Sequence, residues 1–257
     1  MLNYGNVKVI DAPPGSGKTS AIINEINNSI KAEKRFMYIT PFLHEVQRIK
    51  ESCPGAKFHD PQPRTKKQSA TEGYSPQDIV IGGKLVDIKD LMKDGVNIAT
   101  THSLFSSFDE EAIEICRVQH YTLILDEVVS VIDTYQIGQK DLDILLEKFV
   151  TIDENGLLNW RKEENNYHDI KFLKEKNLIK LKSLACYGID TKKTSEEEDL
   201  TELDDGEAIV PTSSRKRLMV WLFPIEAFRA FDEIYILTYM FDGQLQKYYF
   251  DYNNLPY

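Results

Sequence analysis

The chain has 257 residues, of which 31 are basic and 41 acidic, giving a formal net charge of −10. With 42% hydrophobic and 28% charged residues, the composition is typical of a globular protein and excludes a uniformly basic nucleic-acid-binding coat. No apolar run reaches the roughly 18–20 residues that cross a bilayer, so we expect no membrane partner. Cys53, Cys116 and Cys186 form no CxxC pair, which argues against a disulfide framework or a zinc site and predicts a cytoplasmic protein.

Strand and helix patterns alternate through the first half of the chain. Short apolar runs predict strands at residues 7–12, 36–40, 97–101 and 121–127. Helical spacing of apolar residues predicts helices after Lys18, from Leu43 to Cys53, and over residues 85–92 and 110–118. A long loop is expected over residues 54–83. Buried strands that alternate with helices predict an α/β fold, with a mostly parallel sheet and helices on both faces.

The second half of the chain is less regular. It predicts helices at residues 141–149, 170–184 and 225–231, and strands at 218–223, 233–240 and 247–252. Residues 194–207 carry eight acids in fourteen positions and are interpreted as a solvated loop. Two basic clusters, residues 64–67 and 215–217, are interpreted as solvated surface.

The segment after the first predicted strand, APPGSGKTS at residues 12–20, carries the first chemical motif. Glycines between a strand and a helix let backbone N–H groups turn toward phosphate oxygens, and the helix N-terminus adds a positive dipole. Lys18 is predicted to neutralise the β- and γ-phosphates of ATP, and the Thr19 hydroxyl to bind Mg²⁺. Ala12 stands where the motif carries its first glycine, and a turn that binds nothing is the alternative. The predicted ATP-binding residues are Pro14, Gly15, Ser16, Gly17, Lys18, Thr19 and Ser20.

Two acids end the strongly apolar strand LILDE at residues 123–127. In a parallel sheet they would lie at the same edge as the phosphate loop. Asp126 is predicted to hold Mg²⁺ through water, and Glu127 to deprotonate the attacking water. Glu127 and Lys18 are therefore the predicted catalytic residues, and hydrolysis is favoured over transfer to a metabolite. The alternative is an ordinary buried strand that ends in two acids.

These two motifs together resemble the first RecA-like motor domain of a DEAD-like helicase, within the P-loop NTPase class, and in particular its bacteriophage or prophage versions. Three further segments occur in the order the family shows: YITPF at residues 38–42, ATTHS at 99–103 and ILTYM at 236–240. The resemblance implies single-stranded DNA or RNA as a partner. It also implies nucleic-acid contacts by Thr40, Pro41, Thr100, Thr101 and Thr238.

The resemblance also implies a domain organisation. Residues 1–134 would form the RecA-like core, residues 135–217 an insertion, and residues 218–257 a return to the core sheet with a C-terminal strand. Only nineteen residues follow Thr238, so a second RecA-like lobe is expected in another chain or in a missing segment. ATP hydrolysis is then expected to be slow without that lobe or nucleic acid. A phage-encoded protein would act in the host cytoplasm.

A second function remains open: a nucleotide-dependent switch or loader ATPase that acts on a protein partner without unwinding. The acidic residues 128–257, with a net charge of −8, favour this alternative, whereas the ordered threonine segments favour the helicase. His102 is interpreted as a packed or capping histidine rather than a catalyst. Four aromatic residues could stack on bases or lie in the core: Tyr239, Phe241, Tyr248 and Tyr249.

Overall fold

The computed structural model describes residues 6–29, 34–63, 76–134, 138–154, 158–161, 184–190 and 215–257. The chain divides into two compact units. The first comprises Met1–Val131 and Phe223–Tyr257, and the second Ile132–Leu222. The sequence boundaries of the expected insertion, residues 135–217, fall inside the second unit.

A five-stranded sheet forms the centre of the first unit. Its strands are β1 (Asn6–Asp11), β2 (Arg35–Thr40), β3 (Ile98–Thr101), β4 (Tyr121–Asp126) and β10 (Glu233–Thr238). They lie in the order β1-β10-β4-β2-β3, and every neighbouring pair is parallel. The predicted α/β class with a mostly parallel sheet is confirmed.

Helices connect these strands. They are α1 (Lys18–Asn28), α2 (Leu43–Ser52), α3 (Pro76–Lys93), α4 (His102–Phe105), α5 (Glu110–Gln119), α7 (Glu226–Arg229) and α8 (Leu245–Tyr252). Among the residues that the structure describes, no helix is both long enough and apolar enough to cross a membrane.

Both faces of the central sheet are covered. On one face, Ile26 of α1 and Ile49 of α2 pack in a cluster with Tyr38, Ile124 and other buried residues. Side chains alternate along a strand, so Met37 points to the opposite face, where it is also fully buried. Burial on both faces explains why these strands are almost continuously apolar.

The second unit is built from antiparallel pairs. Strands β5 (Ile132–Thr134), β8 (Leu184–Asp190) and β9 (Arg215–Leu222) form one sheet in the order β5-β9-β8. Strands β6 (Val150–Ile152) and β7 (Leu158–Trp160) pair with each other after α6 (Gln139–Ile144) and a π-helical turn, Leu145–Phe149. Leu142, Val150 and Leu158 form a small core there. The acidic segment 194–207, the basic residues 64–67 and residues 170–183 lie outside the described residues.

Three sequence predictions about the fold are wrong. The expected C-terminal strand at residues 247–252 is helix α8, because its buried residues Gln246, Tyr249 and Phe250 follow the i, i+3, i+4 spacing of a helix. Residues 218–222 do not return to the core sheet, since β9 pairs with β5 and β8. The long loop ends at Pro76, where helix α3 begins, and a proline is well tolerated in the first turn of a helix.

Candidate active site

The loop between β1 and α1, predicted to bind phosphate, contains two glycines in a left-handed backbone conformation. Gly15 and Gly17 adopt φ values of +77° and +89°, in the left-handed region that favours glycine. A Cβ at either position would meet no atom within 4 Å, so the backbone conformation rather than crowding requires glycine there. The loop residues from Pro13 to Gly17 are exposed. The two prolines have no N–H group and the Ser16 amide donates to the Pro13 carbonyl at 3.2 Å, so the amides of Gly15 and Gly17 are the ones available to an anion.

The first turn of α1 carries the polar side chains of this loop. The Lys18 ammonium folds back over the loop and donates to the Ala12 carbonyl at 2.5 Å and the Pro13 carbonyl at 3.2 Å. Thr19 is half-buried and Ser20 is exposed. The unbonded N–H groups at the start of a helix add a positive potential at the same point. The loop therefore gathers several donors and one full positive charge.

Strand β10 lies between the strand that precedes this loop and the strand that ends in the two acids. The Ala12 amide donates to the Thr238 carbonyl at 3.1 Å, and the Glu127 amide donates to the Leu237 carbonyl at 2.9 Å. Two strand spacings, about 10 Å, thus separate the loop from the acids. That width accommodates a phosphate group together with a hydrated cation.

Asp126 is a half-buried carboxylate. Burial raises its pKa, and the charges of Glu45 and Glu127 add to this effect, whereas the nearby Tyr38 phenol and Arg48 act in the opposite direction. The Tyr38 hydroxyl is itself buried and makes no hydrogen bond of ordinary geometry. Ionised Asp126 is therefore only partly compensated by its protein neighbours, and a cation beside it would stabilise the charge.

The oxygen donors at this edge fit Mg²⁺. Thr19 supplies a hydroxyl and Asp126 a carboxylate, and the described residues contain no cluster of three or more His, Cys, Asp or Glu that could hold a metal by itself. Mg²⁺ is commonly bound by one or two protein oxygens together with water and substrate phosphates, rather than by a complete protein cage. The residues present match that mode.

Glu127 is exposed and has a backbone φ of +71°. A residue with a Cβ in the left-handed region carries a cost of about 1–2 kcal/mol, so surrounding contacts must hold it there. Besides the amide bond to β10, the Thr238 hydroxyl donates to Glu127 Oε2 at 3.4 Å. These contacts place the Glu127 carboxylate at the edge of the sheet, on the side of β10.

The predicted nucleic-acid residues differ in accessibility. Thr40, Thr100 and Thr238 are buried, so their side chains do not present hydroxyls to a strand on the surface. The Thr40 hydroxyl has no hydrogen-bond partner. Pro41 and Thr101 are half-buried, and they are the members of this set that a ligand can reach. Among the aromatic residues, Phe241 and Tyr249 lie in the core, whereas Tyr239 and Tyr248 are exposed.

The chain is similar to a known prophage protein. Over 255 residues the chain is 34% identical to the SPbeta prophage-derived uncharacterized protein YonV of Bacillus subtilis (strain 168). The alignment includes 98% of this chain and 53% of YonV, so the chain spans about half the length of that relative. No protein-family model matches the chain.

Two residues at this edge contribute contacts that the sequence did not reveal. The Asp11 carboxylate accepts hydrogen bonds from the Met240 and Phe241 amides at 2.8 and 2.9 Å, tying the end of β1 to the turn after β10. His102 Nε2 lies 3.1 Å from the Asp126 carbonyl oxygen. Burial lowers the pKa of His102, although the bond to Asp126 partly opposes the effect. Both pairs join residues far apart in the chain, and no local pattern indicates them.

Proposed function

We propose that this chain is the ATP-binding lobe of an ATP-dependent nucleic-acid helicase or translocase, with a RecA-like P-loop fold. One observation carries the proposal: a single strand, β10, lies between the loop that contains the two left-handed glycines and Lys18 and the strand that ends at the Asp126–Glu127 pair. Phosphate binding and water activation both require these groups at a single edge. The resemblance of the motifs to DEAD-like helicases supports the same assignment.

Each residue at this edge has a distinct role in the proposed reaction. The loop amides and Lys18 bind the β- and γ-phosphates, and Thr19 and Asp126 hold Mg²⁺, which supplies charge neutralisation to those phosphates when bound. Glu127 orients a water molecule and accepts its proton as the water attacks the γ-phosphorus. The bond between the γ-phosphorus and the β,γ-bridging oxygen breaks in the same step, so that ADP and phosphate leave. The Thr238 hydroxyl, at 3.4 Å, keeps the Glu127 carboxylate in place.

We further propose that hydrolysis by this chain alone is slow. Helicase-type sites are completed by an arginine from a second lobe, which accelerates phosphoryl transfer by orders of magnitude. A second RecA-like lobe and single-stranded DNA or RNA are the proposed partners. Pro41 and Thr101, which stand half-buried at the ends of neighbouring strands, are the proposed points of strand contact.

The test is ATP turnover by the purified chain in Mg²⁺, with and without single-stranded DNA and RNA. We expect slow basal turnover that one of the nucleic acids stimulates. Glu127→Gln should abolish turnover at unchanged ATP affinity, because the amide keeps the size of the side chain but cannot accept a proton. Glu147→Gln, at an exposed position of the π-helical turn, is the matched control. Turnover retained by Glu127→Gln would contradict the assigned role.

The alternative, a nucleotide-dependent switch or loader that acts on a protein, is favoured by two observations. Three of the five residues proposed to contact nucleic acid are buried, and the protein carries an acidic excess. This alternative predicts ATP binding with no stimulation by DNA or RNA. It also predicts a protein partner that is retained only with nucleotide present, which affinity capture with and without MgATP would reveal.

A further inference from the structure

The peptide group that joins Asp126 to Glu127 is held from both sides. Its carbonyl oxygen lies 3.1 Å from His102 Nε2, and its amide donates to the Leu237 carbonyl at 2.9 Å. A carbonyl oxygen accepts only, so the imidazole must carry its proton on Nε2 and donate. The strained left-handed conformation of Glu127 begins immediately after this peptide group.

The two partners come from opposite sides of β4 in the sheet. Leu237 belongs to β10, whereas His102 is the first residue of α4 and follows Thr101 at the end of β3. His102 is half-buried, and the side chains of Leu104 and Phe105 anchor its short helix in the core. The imidazole therefore bridges the end of β3 and the acid pair, across the intervening strand β2.

We propose that His102 is a positioning residue that sets the orientation of Glu127 and transmits occupancy of the β3–α4 corner to the hydrolytic site. The inference rests on the proposed function. A strand bound at half-buried Thr101 displaces or fixes the adjacent His102 through the backbone they share. The hydrogen bond to the Asp126 carbonyl passes that change to the next residue, Glu127. The step alters only the hydrogen bond between the imidazole and the Asp126 carbonyl; no covalent bond forms or breaks and no proton is transferred.

Two substitutions separate positioning from packing. His102→Phe keeps a ring of similar volume but removes the donor, whereas His102→Gln offers an amide N–H at nearly the same reach. We expect His102→Phe to lower kcat by about 10- to 100-fold, as loss of a supporting hydrogen bond commonly does, with the ATP affinity changed by less than about twofold. His102→Gln should recover most of kcat. His44→Phe, at an exposed histidine, is the control.

Stimulation by nucleic acid gives the second readout. In His102→Phe, the strand that stimulates the unmodified protein should still bind with the same affinity but should no longer raise kcat. Unchanged stimulation in this variant would overturn the proposed transmission. If His102→Phe and His102→Gln lowered kcat by the same factor and lowered the melting temperature by the same amount, His102 would have a packing role instead.

A third readout does not depend on ATP. In His102→Phe the Asp126–Glu127 peptide group is held from one side only, so the Glu127 amide should exchange its hydrogen with solvent faster than in the unmodified protein. In His102→Gln the amide should exchange at the original rate. Unchanged exchange in His102→Phe would overturn the positioning role. If the unmodified protein instead failed to bind ATP, the proposed function would fail, while the exchange measurement would still decide the role of His102.

Discussion

Two polar side chains near the carboxyl edge of the sheet, half-buried Asp126 and buried Thr40, lack full compensation by protein partners. Burial raises the pKa of Asp126, and the Thr40 hydroxyl makes no hydrogen bond. Burying a polar group without a partner costs about 1–3 kcal/mol in proteins. Substitutions at the two positions separate a ligand-binding role from a purely structural one.

Asp126→Asn should stabilise the nucleotide-free protein at neutral pH. The folded-state pKa of Asp126 lies above its ordinary value of 3.8. The contribution of Asp126 to the stability of the folded protein is therefore complete below pH 3.8 and is lost as the pH rises through the raised pKa. The neutral amide avoids this loss, and we expect the melting temperature to rise by about 2–4 °C at pH 7, with no gain below pH 3.8. Calorimetric melting across pH measures both.

Asp60→Asn is the control, and we expect it to change the melting temperature in the opposite direction. Although burial acts to raise the pKa of Asp60, hydrogen bonding and charge from Lys50 bring it below its ordinary value. Removing that charge should lower the melting temperature at pH 7. If both variants were destabilised equally, the buried charge of Asp126 would not be the source of the effect.

Thr40 and Thr101 form a matched pair of threonines, because they are register partners on neighbouring strands. Thr40→Val removes a buried hydroxyl that has no partner, so we expect unchanged or slightly higher stability, by up to about 1 kcal/mol, and unchanged nucleic-acid binding. Thr101→Val removes a reachable hydroxyl and should weaken binding of single strands. Fluorescence anisotropy with labelled DNA and RNA distinguishes them, and weaker binding by Thr40→Val would contradict the burial argument.

At the scale of elements, a partly buried lysine on α3 forms ion pairs with two acids at the start of α5. Lys89 Nζ lies 2.6 Å from Asp109, which caps α5 through the Ala112 amide, and 2.8 Å from Glu111. The Lys89 side chain is only 13% exposed, so the two acids compensate a charge that is largely removed from water. Lys93 also reaches Glu111, but from an exposed position.

Lys89→Met should destabilise the protein by about 1 kcal/mol, more than Lys93→Met does. Lys89 is the largest cause that lowers the pKa of Glu111, from 4.5 to about 2. The stability that the Lys89–Glu111 pair contributes is therefore present above pH 4.5 and is lost as the pH falls toward about 2. Urea unfolding at pH 7 and in acid should show a difference between the variants that shrinks at low pH. A pH-independent difference would contradict the ion-pair account.

The elements themselves were predictable where local pattern and tertiary role agreed. Strands β2 to β4 are almost wholly buried and were predicted from their apolar runs. The candidate phosphate loop was located from its residue types and its place between a strand and a helix. Helix α8 was missed because Tyr248, Tyr249 and Phe250 form an aromatic run typical of strands. The positions of β10, His102 and Asp11 depend on contacts between distant parts of the chain, which a single sequence does not encode locally.

At the scale of the whole molecule, the proposed nucleotide site is built from distant segments of the chain within the first unit. Residues of β1 and α1 supply the loop, β4 supplies the acids, and β10, more than 100 residues later in the sequence, separates them. The second unit, Ile132–Leu222, lies between β4 and β10 in the chain. Ligand binding to such a site should couple to the stability of the entire first unit.

MgATP should therefore stabilise the protein by mass action. At a free ligand concentration of about 100 times Kd, binding contributes about 2.7 kcal/mol to the free energy of unfolding. We expect a clear rise in melting temperature with MgATP, a smaller rise with ATP and a chelator, and the loss of the Mg²⁺-dependent part in Asp126→Asn. A full Mg²⁺-dependent rise in that variant would place the cation elsewhere.

The measurement that tests the central claim most directly is a calorimetric titration of ATP into the purified protein in Mg²⁺, repeated with Lys18→Ala and with Lys140→Ala. Lys18 lies beside the loop proposed to bind phosphate, whereas Lys140 is exposed in the second unit. The account predicts saturable binding by the unmodified protein and by Lys140→Ala, and none by Lys18→Ala at an unchanged melting temperature. Equal affinity in all three proteins, or no binding by the unmodified chain, would contradict it.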